Sequence, residues 1–169
     1  NIQKHFQGFT CTDKAGEGLF NYFLNMFCDK FQFRRELKIS SENTHLITSD
    51  DWTNNAPLAV RDLLEQSKIS YGLIHGGKLV SCVPSPNLYR GKDASKFAII
   101  RGVWTDPAFR RKGLATSAMK KLCIKLFDRM NVEKIYLWVE ERNPTAIGIY
   151  KKLGFSIKGK WWGSQCYFC

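Results

Sequence analysis

Apolar residues change their spacing several times along the 169-residue chain, and each change predicts an element. From Gly16 to Phe31, the residues Phe20, Phe23, Phe27 and Phe31 recur at intervals of three and four, which predicts a helix with one aromatic stripe. Asn55 and Pro57 announce a second helix with Val60, Leu63 and Leu64 on its inner face. Two apolar runs, 69–74 and 79–83, flank His75-Gly-Gly-Lys78 and predict a β-hairpin whose His75 is a solvated turn residue. A polar loop from Ser85 to Ser95 leads into a strand from Phe97 to Thr105. The period then lengthens: Ala115, Ala118, Leu122, Leu126 and Met130 predict a helix from about Gly113 to Met130. Ile135, Leu137 and Val139 alternate as a strand. Asn143 then caps a short helix with Pro144 at its first position, and Gly154 ends it. From Phe155, through Trp161 and Trp162, the pattern is strand-like with a turn at Gly163, and Gln165 to Cys169 reads as a terminal strand. The order of elements implies an α/β chain with a mixed sheet.

An apolar share of 44% over this length suits one folded domain spanning 1–169. No apolar run approaches the ~18 residues that span a bilayer, and no basic-then-apolar leader opens the chain, so no membrane partner is expected. The chain opens on Asn1 rather than Met, as a processed form does, which leaves the sequence upstream open. Cys166-x-x-Cys169 lacks the second pair or the histidines that would complete a zinc site, so no metal is expected. Most of Cys11, Cys28, Cys82, Cys123, Cys166 and Cys169 lie among apolar neighbours, which points to free thiols in a reducing, cytoplasmic compartment.

Charge adds direction. Residues 1–50 hold six basic and six acidic side chains, so the net +11 lies wholly in residues 51–169, with 20 basic and 9 acidic. That asymmetry calls for an anionic partner. Its focus is Arg110-Arg-Lys-Gly113-Leu-Ala-Thr116, between a strand and a long helix. Gly113 and Ala115 let a ligand approach the backbone, the first helical amides lack intrahelical partners, and the macrodipole makes that end positive. Such a segment cradles a pyrophosphate, yet it matches neither a P-loop nor a dinucleotide fingerprint.

Arg110-x-x-Gly113-x-Ala115, within Gly102-Val-Trp-Thr-Asp-Pro-Ala-Phe-Arg-Arg-Lys-Gly-Leu-Ala-Thr116, resembles the strand-into-helix signature of the GNAT superfamily of acyl-CoA-dependent N-acetyltransferases. Asn143-Pro-Thr-Ala146-Ile-Gly-Ile-Tyr150-Lys-Lys-Leu-Gly154-Phe155 resembles its second signature, and the pair is most like the subgroup called FR47-like. The resemblance covers residues 69–169, with 1–68 as the family's variable, helical, substrate-side part. It implies a GNAT α/β fold, a mixed and mostly antiparallel sheet flanked by helices on both faces. It also implies transfer of an acetyl group from acetyl-CoA to an amine by direct attack, in a monomer or homodimer. The amides around Arg110, Arg111, Lys112, Gly113, Leu114, Ala115 and Thr116 would hold the pyrophosphate. Backbone groups of Val103 and Thr105 would pair with the pantetheine arm, Asn143 would hydrogen-bond it, and Tyr150 would protonate the leaving thiolate.

The sequence departs from the family in one respect. The strand Phe97-Ala-Ile-Ile-Arg-Gly102 lacks the acid that many relatives use to deprotonate the amine, leaving Glu65, Glu140 and Glu141 as candidates. Two other readings compete. One is a nucleic-acid-binding module, with RNA as partner, that uses Arg110, Arg111, Lys112, Lys120, Lys121 and Lys125. The other is a CoA-binding sensor that no longer transfers the acetyl group.

Overall fold

Residues 20–29 form a strand, β1 (Phe20–Asp29), in the computed structural model, which describes residues 20–38, 45–47, 58–65, 70–84 and 86–164. This corrects the helix expected from Gly16 to Phe31 over the part described. Leu24, Met26 and Cys28 alternate onto one buried face, while Phe23 and Phe27 take the other. A spacing of four keeps two residues on one face of a helix and of a strand alike, so the aromatic stripe does not separate them.

The chain continues as β2 (His45–Ile47), α1 (Leu58–Glu65), β3 (Ser70–His75), β4 (Lys78–Val83), β5 (Asn87–Arg90), β6 (Lys96–Ile100) and β7 (Trp104–Thr105). It ends with α2 (Leu114–Ile124), β8 (Lys134–Glu140), α3 (Pro144–Lys152) and β9 (Ser156–Ser164). The nine described strands make two sheets, ordered β5-β6-β8-β1-β9 and β2-β3-β4-β7. Only β6 and β8 pair in parallel, with α2 on the crossover between them. Every other pair is antiparallel, so the sheets are mixed and mostly antiparallel, with helices flanking them.

The strand expected from Phe97 to Thr105 is divided. Its first half, β6, pairs with β8 in one sheet, and its second half, β7, pairs with β4 in the other. The crossing at residues 101–103 turns on Gly102, whose φ of 72° is costly for any residue with a Cβ. Beyond the last β6–β8 pair, Ile100 with Leu137, β8 runs on to Glu140 while the chain leaves for β7. No ladder joins β7 to the end of β8, which leaves an opening in the strand pairing between them.

The main core lies under α2 and α3, where Met26, Ile135 and Leu137 meet Met119, Leu122 and Leu153, all 2% exposed or less. Full burial of each such side chain stabilises by ~1.5–3 kcal/mol. Surface ion pairs such as Arg35–Asp128 contribute far less, ~0–1 kcal/mol, so packing decides the fold. α1 builds a second cluster, its Val60 and Leu64 packing on Leu79 and Cys82. Leu63 is half-buried, and a Cβ on Gly102 would meet its side chain.

Three further expectations are adjusted. The polar segment from Ser85 to Ser95 contains β5, an edge strand whose four residues are all exposed, so it carries no burial pattern. The long helix reaches Arg129 only by widening: residues 125–129 form a π-type turn, with the Met130 amide bonded to the Lys125 carbonyl at 3.2 Å. Gly163 is no turn, because it lies inside β9 opposite Asn21. The hairpin β3–β4 forms as expected, with positive φ at Gly76 and Gly77. The segment from Gln165 to Cys169, with Cys166 and Cys169, and also Cys11, Asn55 and Pro57, lie outside the described residues.

Candidate functional site

β7 lies at the edge of its sheet, with β4 on one side only. The Asp106 amide donates to the Val80 carbonyl at 2.9 Å, and Trp104 pairs with Cys82. Backbone groups alternate sides along a strand, so Val103 and Thr105 turn theirs away from β4 and into the opening. Both residues are half-buried. The Thr105 side chain is anchored by Ser81, hydroxyl to hydroxyl at 2.9 Å, and Ser81 is fully buried.

A short 3₁₀ turn, Pro107–Phe109, follows, capped by the Asp106 carboxylate, which accepts from the Ala108 amide at 2.9 Å. Arg110 is exposed, and its Nε donates to the Thr105 carbonyl at 3.1 Å. Lys112 is exposed, its ammonium 4.8 Å from the centre of the Phe109 ring. His75 is the other neighbour of that ring, at 5.3 Å, so the hairpin turn buttresses the signature loop. His75 is exposed at the turn, as its sequence position suggests, and its contact with a ring 34 positions away leaves no local signal.

Arg111 and Gly113 have φ of 65° and 77°. A left-handed residue followed by a right-handed one, as Gly113 is by helical Leu114, turns successive amides towards one concavity, a geometry that binds anions. Gly113 is also the N-cap of α2 and brings no side chain to satisfy the first helical amides. The amides of Leu114, Ala115 and Thr116 therefore have no intrahelical acceptor. Leu114 anchors the turn by its buried side chain, while Ala115 and Thr116 are half-buried. The chemistry of the segment suits a pyrophosphate: orphan amides and a positive helix end follow directly on the exposed Arg111 and Lys112.

Asn143 caps α3, its Oδ1 accepting from the Ala146 amide at 3.1 Å and its own amide bonding the Glu140 carbonyl at 2.9 Å. The Nδ2 end of this exposed carboxamide has its two donors to offer a ligand. Tyr150, two turns further, is 7% exposed, with its ring 6.0 Å from Phe155. Burial pushes its phenol up to about 12 from 10.0, so it holds its proton at neutral pH.

The three candidate acids differ in place. Glu140 closes β8 at the opening, opposite Phe23 of β1, and bonds Arg142 Nε at 2.9 Å. Glu141 is exposed and paired with Lys160 at 2.6 Å, and Glu65 is exposed at the end of α1. Of the basic stripe on α2, Lys120 is already committed to the Leu37 carbonyl at 2.8 Å. Among the described residues no group of three side chains could hold a metal ion, and no helix is long and apolar enough to cross a membrane.

A family model described as "Acetyltransferase (GNAT) family" matches residues 26–155. Two spermidine N(1)-acetyltransferases, from Escherichia coli K12 and O157:H7, are 46% identical over 54 residues. That match spans 32% of this chain and 29% of theirs. Among solved structures, a GNAT-family protein of Novosphingobium aromaticivorans gives a TM-score of 0.62 at 17% identity, covering 92% of this chain and 70% of that one. A GNAT acetyltransferase of Colwellia psychrerythraea gives 0.60 at 16% identity, over 85% and 55%. A Trypanosoma brucei acetyltransferase gives 0.53 at 18%, over 69% and 93%. At such identities the structures speak for the fold, and the family model covers most of the chain: it belongs to the GNAT family of acetyltransferases.

Proposed function

We propose that the chain transfers an acetyl group from acetyl-CoA to an amine by direct attack. One observation carries the reading: the orphan amides of Leu114, Ala115 and Thr116 stand beside the outward-turned backbone of Val103 and Thr105. The first set suits a pyrophosphate and the second an extended amide-bearing arm, the two chemical parts of CoA nearest its thiol. In this reading Arg110, Arg111 and Lys112 attract the phosphates, and the Asn143 carboxamide steadies the arm.

The amine attacks the thioester carbonyl, an N–C bond forms, and the C–S bond breaks. Tyr150 gives its proton to the departing thiolate; burial keeps the phenol protonated at neutral pH and at the same time makes that proton harder to give up. Glu140, at the end of β8 beside the opening, is the acid placed to receive the proton of the amine. Positioning of the two reactants supplies much of the acceleration. The free, buried thiols of Cys28, Cys82 and Cys123 support a reducing, cytoplasmic setting.

Thiol release from acetyl-CoA, followed with a panel of amines that includes spermidine, tests the proposal. Turnover with at least one amine is expected. Binding of acetyl-CoA without turnover on any amine would leave a sensor, and a melting midpoint unmoved by saturating acetyl-CoA would remove the cradle itself.

A further inference from the structure

The loop after β1 is pinned firmly and still exposes an aromatic ring. Asp29 Oδ1 accepts from the amides of Phe31 and Gln32, both at 2.9 Å, and the Asp29 carbonyl accepts from the Phe33 amide at 3.1 Å. Phe33 is buried against Phe127, ring centres 5.3 Å apart. The Arg34 amide donates to the Leu153 carbonyl at 3.1 Å, and Lys120 holds the Leu37 carbonyl. Within this frame Phe31 stands 86% exposed.

Its surroundings are cationic. Residues 30–38 carry Lys30, Arg34, Arg35 and Lys38 against Glu36 as the one acid, and Lys151 and Lys152 are exposed on the adjoining last turn of α3. Lys30 Nζ lies 5.2 Å from the Phe31 ring centre and covers one face of it. Lys30, Phe31, Arg34, Arg35 and Glu36 line an open hollow of about 590 Å³, together with Phe33 and Leu37. Ordinary structural roles explain part of this. Lys151 and Lys152 complement the α3 dipole, and Arg35 is committed to Asp128 at 2.9 Å. They do not explain Lys30, Arg34 and a projecting ring on a pinned loop.

The hollow is separate from the proposed acetyl-CoA cleft. Asp29 pairs with Lys134 at the start of β8 and Phe23 with Glu140 at its end, so the Phe31 end of the hollow and the Glu140 end of the cleft lie ~20 Å apart along the strand.

We propose that residues 30–38 form a docking site for single-stranded nucleic acid. An unpaired base stacks on the open face of Phe31, and backbone phosphates lie against Lys30, Arg34 and Lys38. A flat π-surface beside a cationic groove is the combination that such strands require. An acidic peptide would satisfy the charges and leave the ring unused, and a bilayer surface calls for a broader apolar face than one ring.

Fluorescence anisotropy of the full chain with a labelled single-stranded RNA of about 12 nucleotides, at several salt concentrations, tests this. Saturable binding that weakens linearly in log–log with salt is expected. Phe31→Ala should weaken it ~5- to ~150-fold without changing the salt slope. Phe31→Trp should keep it, which also guards against a folding defect in the alanine variant. Lys30→Glu with Arg34→Glu should both weaken binding and flatten the slope, by ~0.7 for each phosphate that is no longer neutralised. Lys92→Glu, an exposed lysine between β5 and β6, should do neither, and saturating acetyl-CoA should leave RNA affinity unchanged. The proposal falls if no saturable binding occurs, if Phe31→Ala binds as the parent, or if Lys92→Glu costs as much as the loop variants. It falls equally if polyglutamate or anionic phospholipid vesicles bind more tightly than the RNA.

Discussion

The Arg110 guanidinium is tied to the Thr105 carbonyl at 3.1 Å, which joins the head of the signature loop to the free edge of β7. Under the proposed function, Arg110 serves the pantetheine edge as well as the phosphates. Arg110→Ala should raise KM for acetyl-CoA ~5- to ~10-fold, as the loss of one exposed hydrogen bond worth ~1–1.5 kcal/mol implies. A nearly constant kcat is expected, because the bond serves ground state and transition state alike. Steady-state kinetics in varied acetyl-CoA checks the split; a fall in kcat with unchanged KM would contradict it.

Gly113 makes a sharper test of the cradle. Its φ of 77°, at the α2 N-cap, strains any residue that carries a Cβ. Gly113→Glu brings a strained side chain and a negative charge to the spot proposed for the pyrophosphate. Calorimetry should detect no acetyl-CoA binding by a protein that still melts cooperatively. Binding equal to the parent would show that the loop is not the cradle.

Gly102 and Gly154 both have positive φ, yet alanine should cost unequal amounts. At Gly102 the added carbon meets the end of the Leu63 side chain, which can turn aside. At Gly154, with φ of 100°, it meets the Gln32 carbonyl, which is backbone and cannot. We expect Gly102→Ala to lose ~1–2 kcal/mol, chiefly backbone strain, and Gly154→Ala to lose distinctly more. Urea denaturation of the two variants ranks them, and the reverse order would refute the packing described.

How much of this is legible in the sequence depends on which signals are local. Gly113, Asn143, Pro144 and Gly154 sit where their backbone chemistry places them, because caps and left-handed positions are decided by a few neighbouring residues. Phe23 and Phe27 mislead, since their spacing of four fits a strand as well as a helix; the alternation of Leu24, Met26 and Cys28 is the better guide. β5 is invisible because an edge strand exposed on all four residues needs no apolar period. The contact of His75 with Phe109 and the insertion of β1 between β8 and β9 depend on long-range pairing. No window of sequence displays such pairings.

Alkaline pH should unfold the protein through its buried acids. Burial, with the Asp29 charge adding to it, pushes Cys28 up to about 12, and burial alone does the same to Cys82, both from 9.0. The unfolded chain gives up these protons near pH 9 while the folded chain keeps them to about 12. Folded protein thus binds more protons in that window, and its stability declines as pH rises through it. Melting midpoints should show no decline from these thiols below pH 9 and fall above it. A midpoint that climbs between pH 9 and ~11 would contradict the burial of these thiols.

Tyr150 separates a catalyst from a binder. Tyr150→Phe keeps the ring that packs 6.0 Å from Phe155 and removes only the hydroxyl. Stability should change by less than ~1.5 kcal/mol, the usual scale of one hydrogen bond. Acetyl-CoA affinity should hold, since the proposed contacts to the pyrophosphate and the arm come from residues 103–116 and Asn143. If the phenol protonates the departing thiolate, the chemical step should slow ~10²- to ~10⁴-fold. The pattern should be a lower kcat at constant KM for acetyl-CoA, that of an interaction made mainly in the transition state. Because burial holds the phenol's proton to about pH 12, no decline in rate between ~8 and ~10 should trace to its ionisation. Single-turnover measurements decide the matter. A variant within twofold of the parent would take Tyr150 out of the chemistry, with water supplying the proton. A variant that fails to fold would make it a core residue first, and Tyr150→Trp or Tyr150→Leu would then have to reproduce the loss of rate without the loss of fold.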